Sequence, residues 1–232
     1  MRALILCLCL LLPLPALAQD TDLELVLLAD ASGSIDPGEL MLQREGYAQA
    51  ITDPEVLAAI SRTAYGSIAV TYVEWATNTG VVADWAVIDG PESAAQFAQA
   101  ILDGPRTAWG RNAIGAALID ALRMMEMNDI DGWRRVIDFS GDTMANFIGP
   151  TIEEAREQVL AAGVTINALP ILRPNDPGAE SGLAALYENH IIGGRGAFVV
   201  AARTRDSFAE AVKRKLILEI AGSGGELQIA GR

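Results

Sequence analysis

Leu23 to Ala29 is an apolar run of seven residues with one charge, Glu24. A run that short and that apolar reads as a strand buried on both faces, as in the middle of a parallel sheet. It stops at Asp30, and a helix start follows at Asp36-Pro37-Gly38-Glu39. Asp36 suits the N-cap, Pro37 the first helical position, and Glu39 closes a capping box. The helix is expected to run to about Ile51, and Asp53-Pro54 opens a short second one through Ile60. Ser67 to Trp75 alternates and is rich in Val, Ile, Thr and aromatic residues, which predicts a strand. Thr77-Asn78-Thr79-Gly80 reads as a hairpin turn into Val81 to Ile88, an antiparallel edge strand.

Gly90-Pro91-Glu92-Ser93 leads into a helix through Leu102. From Ile114, Leu118, Leu122 and Met125 recur at helical spacing. Arg135 to Ser140 predicts a strand, and Thr151 to Ala162 a helix with Ile152, Ala155 and Val159 on one face. Val164 to Leu172 predicts a strand entering the loop at residues 173–178, and Ser181 to Asn189 a helix. Ala197 to Ala202 reads as a short buried strand, and Phe208, Val212, Leu216 and Ile220 mark a last helix. Strand and helix alternate throughout, apart from the hairpin. The fold class is therefore α/β: a doubly wound, mostly parallel central sheet with one antiparallel edge strand and helices on both faces. One domain is expected over residues 19–221, and a loose Gly-rich tail over 222–232.

Residues 1–18 stand apart from that fold. Arg2, the apolar run Ala3 to Leu12 and the small-x-small site Ala16-Leu17-Ala18 make a secretory signal peptide. Both cysteines, Cys7 and Cys9, fall inside it, so the expected mature chain has no disulfide and no cysteine metal site. Of 17 basic residues only Arg2 is lost with the signal, leaving 16 against 30 acidic ones, a formal charge near −14. Such a balance excludes nonspecific binding to nucleic acid or anionic lipid. Lys213-Arg214-Lys215 reads as a solvated face of the last helix.

Chemistry concentrates after the first strand. Asp30, Ser32 and Ser34 are short oxygen-bearing side chains at alternate positions on a loop at the carboxyl end of a central strand. Ligands bind there in open α/β sheets, and hard oxygens suit a hard cation such as magnesium. By itself Asp-x-Ser-x-Ser reads first as a turn; the buried strand before it and matching residues downstream reverse that order and favour a site.

These residues resemble the metal-ion-dependent adhesion site of the von Willebrand factor type A domain. The chain is most similar to exported bacterial A-domain proteins of unknown function, which share Asp30 to Ser34, Val73-Glu74-Trp75, Val136 to Asp142 and Ile192-Gly193-Gly194. The resemblance covers essentially the whole mature chain. It implies one divalent cation, Mg or Mn, held by Asp30, Ser32, Ser34, Asn112 and Asp142. Serine hydroxyls would ligate directly, and Asp30 and Asp142 would act through waters. Asn112 stands where the family places Thr, and Thr143 follows Asp142 where the family has Gly. Asn112 is equally readable as an N-cap of the next helix or as a cap and ligand together. The resemblance further implies a protein partner whose Asp or Glu completes the metal shell, with Arg106 and Arg111 near the incoming group.

Glu74 and Asp138 fall inside buried strands, so each requires an Arg, backbone donors or a proton; a structural polar network is the expected role. No Gly-x-Ser-x-Gly elbow, His-Glu-x-x-His or phosphate loop occurs, and the only histidine, His190, is expected to be structural. The sequence thus reads as a non-enzymatic, periplasmic or secreted adhesion-type module of a Gram-negative bacterium. Its rivals are a metal-free scaffold with a decayed site and a metal-assisted hydrolase.

Overall fold

The computed structural model describes residues 19–172, 179–202, 204 and 207–222. The expected signal peptide, the loop at 173–178 and the tail from 223 on lie outside the described residues. Strands are β1 (Gln19–Thr21), β2 (Leu23–Asp30), β3 (Ile68–Trp75), β4 (Thr79–Ile88), β5 (Ile130–Gly132), β6 (Arg135–Gly141) and β7 (Thr165–Pro170). Helices are α1 (Pro37–Ile51), α2 (Pro54–Ser61), α3 (Pro91–Asp103), α4 (Ile114–Met127), α5 (Ile152–Ala161), α6 (Ala179–His190) and α7 (Phe208–Ala221).

The main sheet has the order β4-β3-β2-β6-β7. It is parallel except for β4, which pairs antiparallel with β3 at the edge. The apolar run of β2 lies in the middle, all eight residues buried. Leu23, Leu25, Leu27 and Ala29 pack on one face with Tyr47 and Ile51 of α1, Phe97 of α3 and Val212 and Leu216 of α7. Val26 and Leu28 pack on the other with Leu118 and Leu122 of α4, Val159 of α5 and Tyr187 of α6. Alternate residues of one strand thus serve two separate cores, which is why β2 reads as continuously apolar. α1 starts as its sequence demands: Asp36 accepts from the Glu39 N–H and the Glu39 carboxylate accepts from the Asp36 N–H.

Three expectations are corrected. β1 and β5 form an additional two-stranded parallel sheet; strands of three residues are too short to carry a period. Ala197 to Ala202 forms no strand but two isolated bridges, Val199 to Ala168 and Ala202 to Ile171, and residues 197–201 are half-buried. The Phe198 N–H donates to the Asn167 side chain, which takes a backbone donor out of the ladder. Lys215 is not on a solvated face. It is fully buried, because it shares the inward stripe of α7 with Val212, Leu216 and Glu219 and meets Asp138 of β6 at 2.7 Å. The other strand acid, Glu74, has the arginine it requires, Arg44 of α1 at 2.8 Å. His190 is exposed in the last turn of α6.

Candidate metal centre

Three loops meet at the carboxyl end of the sheet. The first leaves β2 at Asp30, which is fully buried. Its Oδ1 accepts from the Ser32 N–H at 2.8 Å, so the carboxylate folds the chain back over its own strand end. The other oxygen, Oδ2, is buried with no hydrogen-bond partner. Gln43 of α1 donates to the Asp30 carbonyl at 2.8 Å and ties the loop to the helix it feeds. Ser32 Oγ lies 3.1 Å from Ser34 Oγ, and Ser34 Oγ donates to Asp142 Oδ1 at 3.5 Å. Four of the five expected residues are therefore linked through three contacts, from Asp30 to Asp142.

Burial pushes the Asp30 carboxyl up to about 7; the Ser32 N–H opposes the shift and the charge of Asp142 adds to it. Gly141, just before Asp142, permits the close approach. A Cβ there would lie 2.9 Å from Tyr187 Oη, 3.0 Å from the Trp75 ring and 3.3 Å from Asp30 Oδ2. Tyr187 Oη donates instead to the Thr143 carbonyl at 2.9 Å, fixing the third loop from α6.

The second loop runs from Pro105 to Ala113. The Gly33 N–H donates to the Gly110 carbonyl at 2.7 Å, which joins the first loop to the second. Gly110 has φ of 105°, and a Cβ would lie 2.5 Å from Thr77 Oγ1, so both conformation and space require glycine. Arg106 donates from Nη2 to the carbonyls of Ala31 and Ser32. Arg106 thus braces the first loop, a role that the sequence does not reveal.

Asn112 is where the site departs from expectation. It does not cap α4: the cap position is Ala113, which makes no side-chain cap bond. Asn146 of the third loop does the work, accepting from the Gly115 N–H at 3.2 Å while donating to the Pro150 carbonyl. The third loop lies so close over the helix start that a Cβ on Gly115 would be 2.2 Å from Pro150 O. Asn112 accepts from the Phe147 N–H through its backbone carbonyl, joining the second loop to the third, while its amide oxygen is buried with no partner. No hydrogen bond links that oxygen to the other four residues. Asn146 carries no signal in the sequence, because the rest of α4 and then β5 and β6 separate it from the helix start it caps.

The oxygens these three loops carry are two carboxylates, two hydroxyls and an amide oxygen, all hard ligands. Among the described residues no three His, Cys, Asp or Glu side chains gather in a way that could hold a metal. A cation here would rely on neutral oxygens beside two acids. The orphaned oxygens of Asp30 and Asn112 fit that requirement, since buried acceptors without donors are costly and a cation satisfies them.

The sheet order, the loop triangle at its carboxyl end and the Asp-x-Ser-x-Ser turn define a von Willebrand factor A-type fold. Similar solved structures include a von Willebrand factor type A protein from Catenulispora acidiphila, at 17% identity and a TM-score of 0.58, covering 87% of this chain and 43% of that one. Proximal thread matrix protein 1 from the mussel byssus, with a zinc-occupied MIDAS motif, is 14% identical with a TM-score of 0.59, covering 89% and 49%. The vWF domain of the type V pili tip protein Mfa5 from Porphyromonas gingivalis is 12% identical with a TM-score of 0.54, covering 84% and 94%. The chain spans less than half the length of the first two of these. No curated protein matches it. Over residues 20–224 the chain belongs to the family described as protein of unknown function (DUF1194).

Proposed function

We propose that this protein is an exported module that binds a divalent cation, magnesium or manganese, at Asp30, Ser32, Ser34, Asn112 and Asp142, and through it an acidic side chain of a protein partner. The observation that carries the reading is the pair of buried, unpartnered acceptors, Asp30 Oδ2 and Asn112 Oδ1, on two loops tied together beside two serine hydroxyls. A bound cation supplies a Lewis-acid position that accepts a carboxylate. Asp30 and Asp142 contribute negative charge, Ser32 and Ser34 compact hydroxyls, and Gln43, Arg106 and Tyr187 hold the loops on which these stand. The zinc-occupied motif of the mussel protein and the pilus-tip origin of the Mfa5 domain support the adhesion reading by analogy of fold. Export rests on the leader pattern of residues 1–18; the family match begins just after it, at residue 20.

Isothermal titration with manganese tests the cation. Wild type binds one ion, and Ser32→Ala/Ser34→Ala binds none while retaining its circular dichroism spectrum. Equal binding by both would place the ion elsewhere. Absence of binding in wild type would favour a metal-free scaffold.

A further inference from the structure

Nine large apolar side chains are exposed among the described residues, and three of them, Trp109, Phe147 and Ile148, stand on the loops that border the cation site. Scattered exposed apolar residues are ordinary; the placement of these is not scattered. Trp109 precedes Gly110, whose carbonyl is bonded to Gly33 of the first loop. The Phe147 N–H is bonded to the carbonyl of Asn112. Each ring therefore lies one residue or one hydrogen bond from a loop carrying an expected ligand. Trp109 is 59% exposed and Phe147 54%.

A guanidinium lies over each ring. Arg106 Cζ lies 4.2 Å from the centre of the Trp109 ring and Arg111 Cζ 3.9 Å from that of Phe147. Such stacking fixes the rings, so that covering them costs little side-chain entropy. Fixed aromatic anchors with Arg beside them are the commonest makings of a binding hot spot. The same two arginines pair with no carboxylate among the described residues. In a chain with a formal charge near −14 once residues 1–18 are removed, this loop is positive, complementary to an acid and not to a base.

We infer that the rim of the cation site is a specificity surface for a protein segment whose acidic residue is flanked by bulky apolar side chains, with Trp109 and Phe147 receiving the flanks. The inference rests on the cation reading above and goes beyond it in naming what surrounds the acid.

The test uses synthetic nonapeptides and the mature chain in magnesium, read by fluorescence polarisation. One peptide carries a central Asp between two Phe, a second the same Asp between two Ser, a third Asn between two Phe. Burial of two apolar flanks on fixed rings should favour the first peptide over the second by about tenfold or more. Trp109→Ala/Phe147→Ala should erase that preference while leaving the affinity for the Ser-flanked peptide and for manganese unchanged. The Asn peptide, and any peptide in EDTA, should bind at least about tenfold more weakly than the first. Equal binding of the two Asp peptides would overturn this inference and leave the cation reading standing. Equal binding of the Asn peptide would overturn it in favour of plain apolar adhesion. No magnesium-dependent binding of either Asp peptide would overturn both.

Discussion

Asp30 and Asp138 lie on adjacent strands of one sheet, and neither is exposed to solvent. Asp138 faces α1 and α7, where Lys215 Nζ sits 2.7 Å away and Tyr47 Oη donates at 3.4 Å. Lys215 also meets Glu219, which accepts from Asn167 at 3.0 Å. Asp30 faces the opposite core beside Trp75 and Tyr187, where the backbone N–H groups of Ser32 and Asp142 favour its charged form and no cationic side chain among the described residues meets it. The nearest charge that bears on it is that of Asp142, which has the same sign. A buried carboxylate must be neutralised or paired. On the α7 face the chain supplies its own cation, so the acids there read as framework. On the α4 face no cationic side chain among the described residues meets Asp30, and the loop after it opens to the surface at Gly33 and Ser34. The difference separates a structural network from the proposed cation site more sharply than burial or acidity alone.

The largest effect should come from removing the built-in cation. Lys215→Met leaves Asp138 and Glu219 buried without a counter-ion and should cost about 3–5 kcal/mol in urea unfolding. A loss below about 1 kcal/mol would mean the α7 network does not hold the fold.

A smaller effect should appear with pH. Burial, then the nearby charge of Asp138, pushes the Glu219 carboxyl up to about 7, against the pull of Lys215. The native state therefore keeps a proton that the unfolded chain releases near the ordinary carboxylate range. Native protein binds more protons than unfolded across that window, so stability falls as pH rises from about 4.5 to about 7 and levels off above it. Glu219→Gln should flatten this decline by roughly 1–3 kcal/mol relative to wild type. An unchanged slope would assign the titration to another group.

Much of this was legible in the residues. The β2 run, the capping box at Asp36 and the alternating strand to Trp75 each satisfy local rules that tertiary packing then reinforces, so their bounds agree with the structure to within a residue or two. Asp30, Ser32, Ser34 and Asp142 were found through a motif and do come together. What escaped was set by contacts distant in sequence. Lys215 reads as solvated because Lys213 and Arg214 precede it; the available signal was its place between Val212 and Leu216 together with an unpaired acid in β6. Nothing near Asn112 announces that Asn146 takes the capping position. The bracing of the first loop by Arg106 spans 75 residues to the Ala31 carbonyl and goes to backbone oxygens, which carry no residue code.

The smallest expected effect concerns Asn112, now free of a capping role. Asn112→Thr should change stability in EDTA by less than about 1 kcal/mol, since no side-chain cap bond is lost. If its amide oxygen ligates, Asn112→Ala should weaken manganese several-fold in titration while Asn112→Thr does not. Equal affinity in all three would remove Asn112 from the ligand set.

The central claim is that the Asp30 site lacks only a cation. It is tested most directly by thermal melting of wild type and Asp30→Asn in EDTA and in magnesium or manganese at pH 7.5. Asparagine keeps the shape and an acceptor for the Ser32 N–H while removing the buried charge. The account predicts that the cation stabilises wild type, by about 2.7 kcal/mol at 100 times its dissociation constant. It predicts that Asp30→Asn melts no lower than wild type in EDTA and gains nothing from metal. An equal metal gain in both proteins, or a wild type indifferent to either ion, would contradict it.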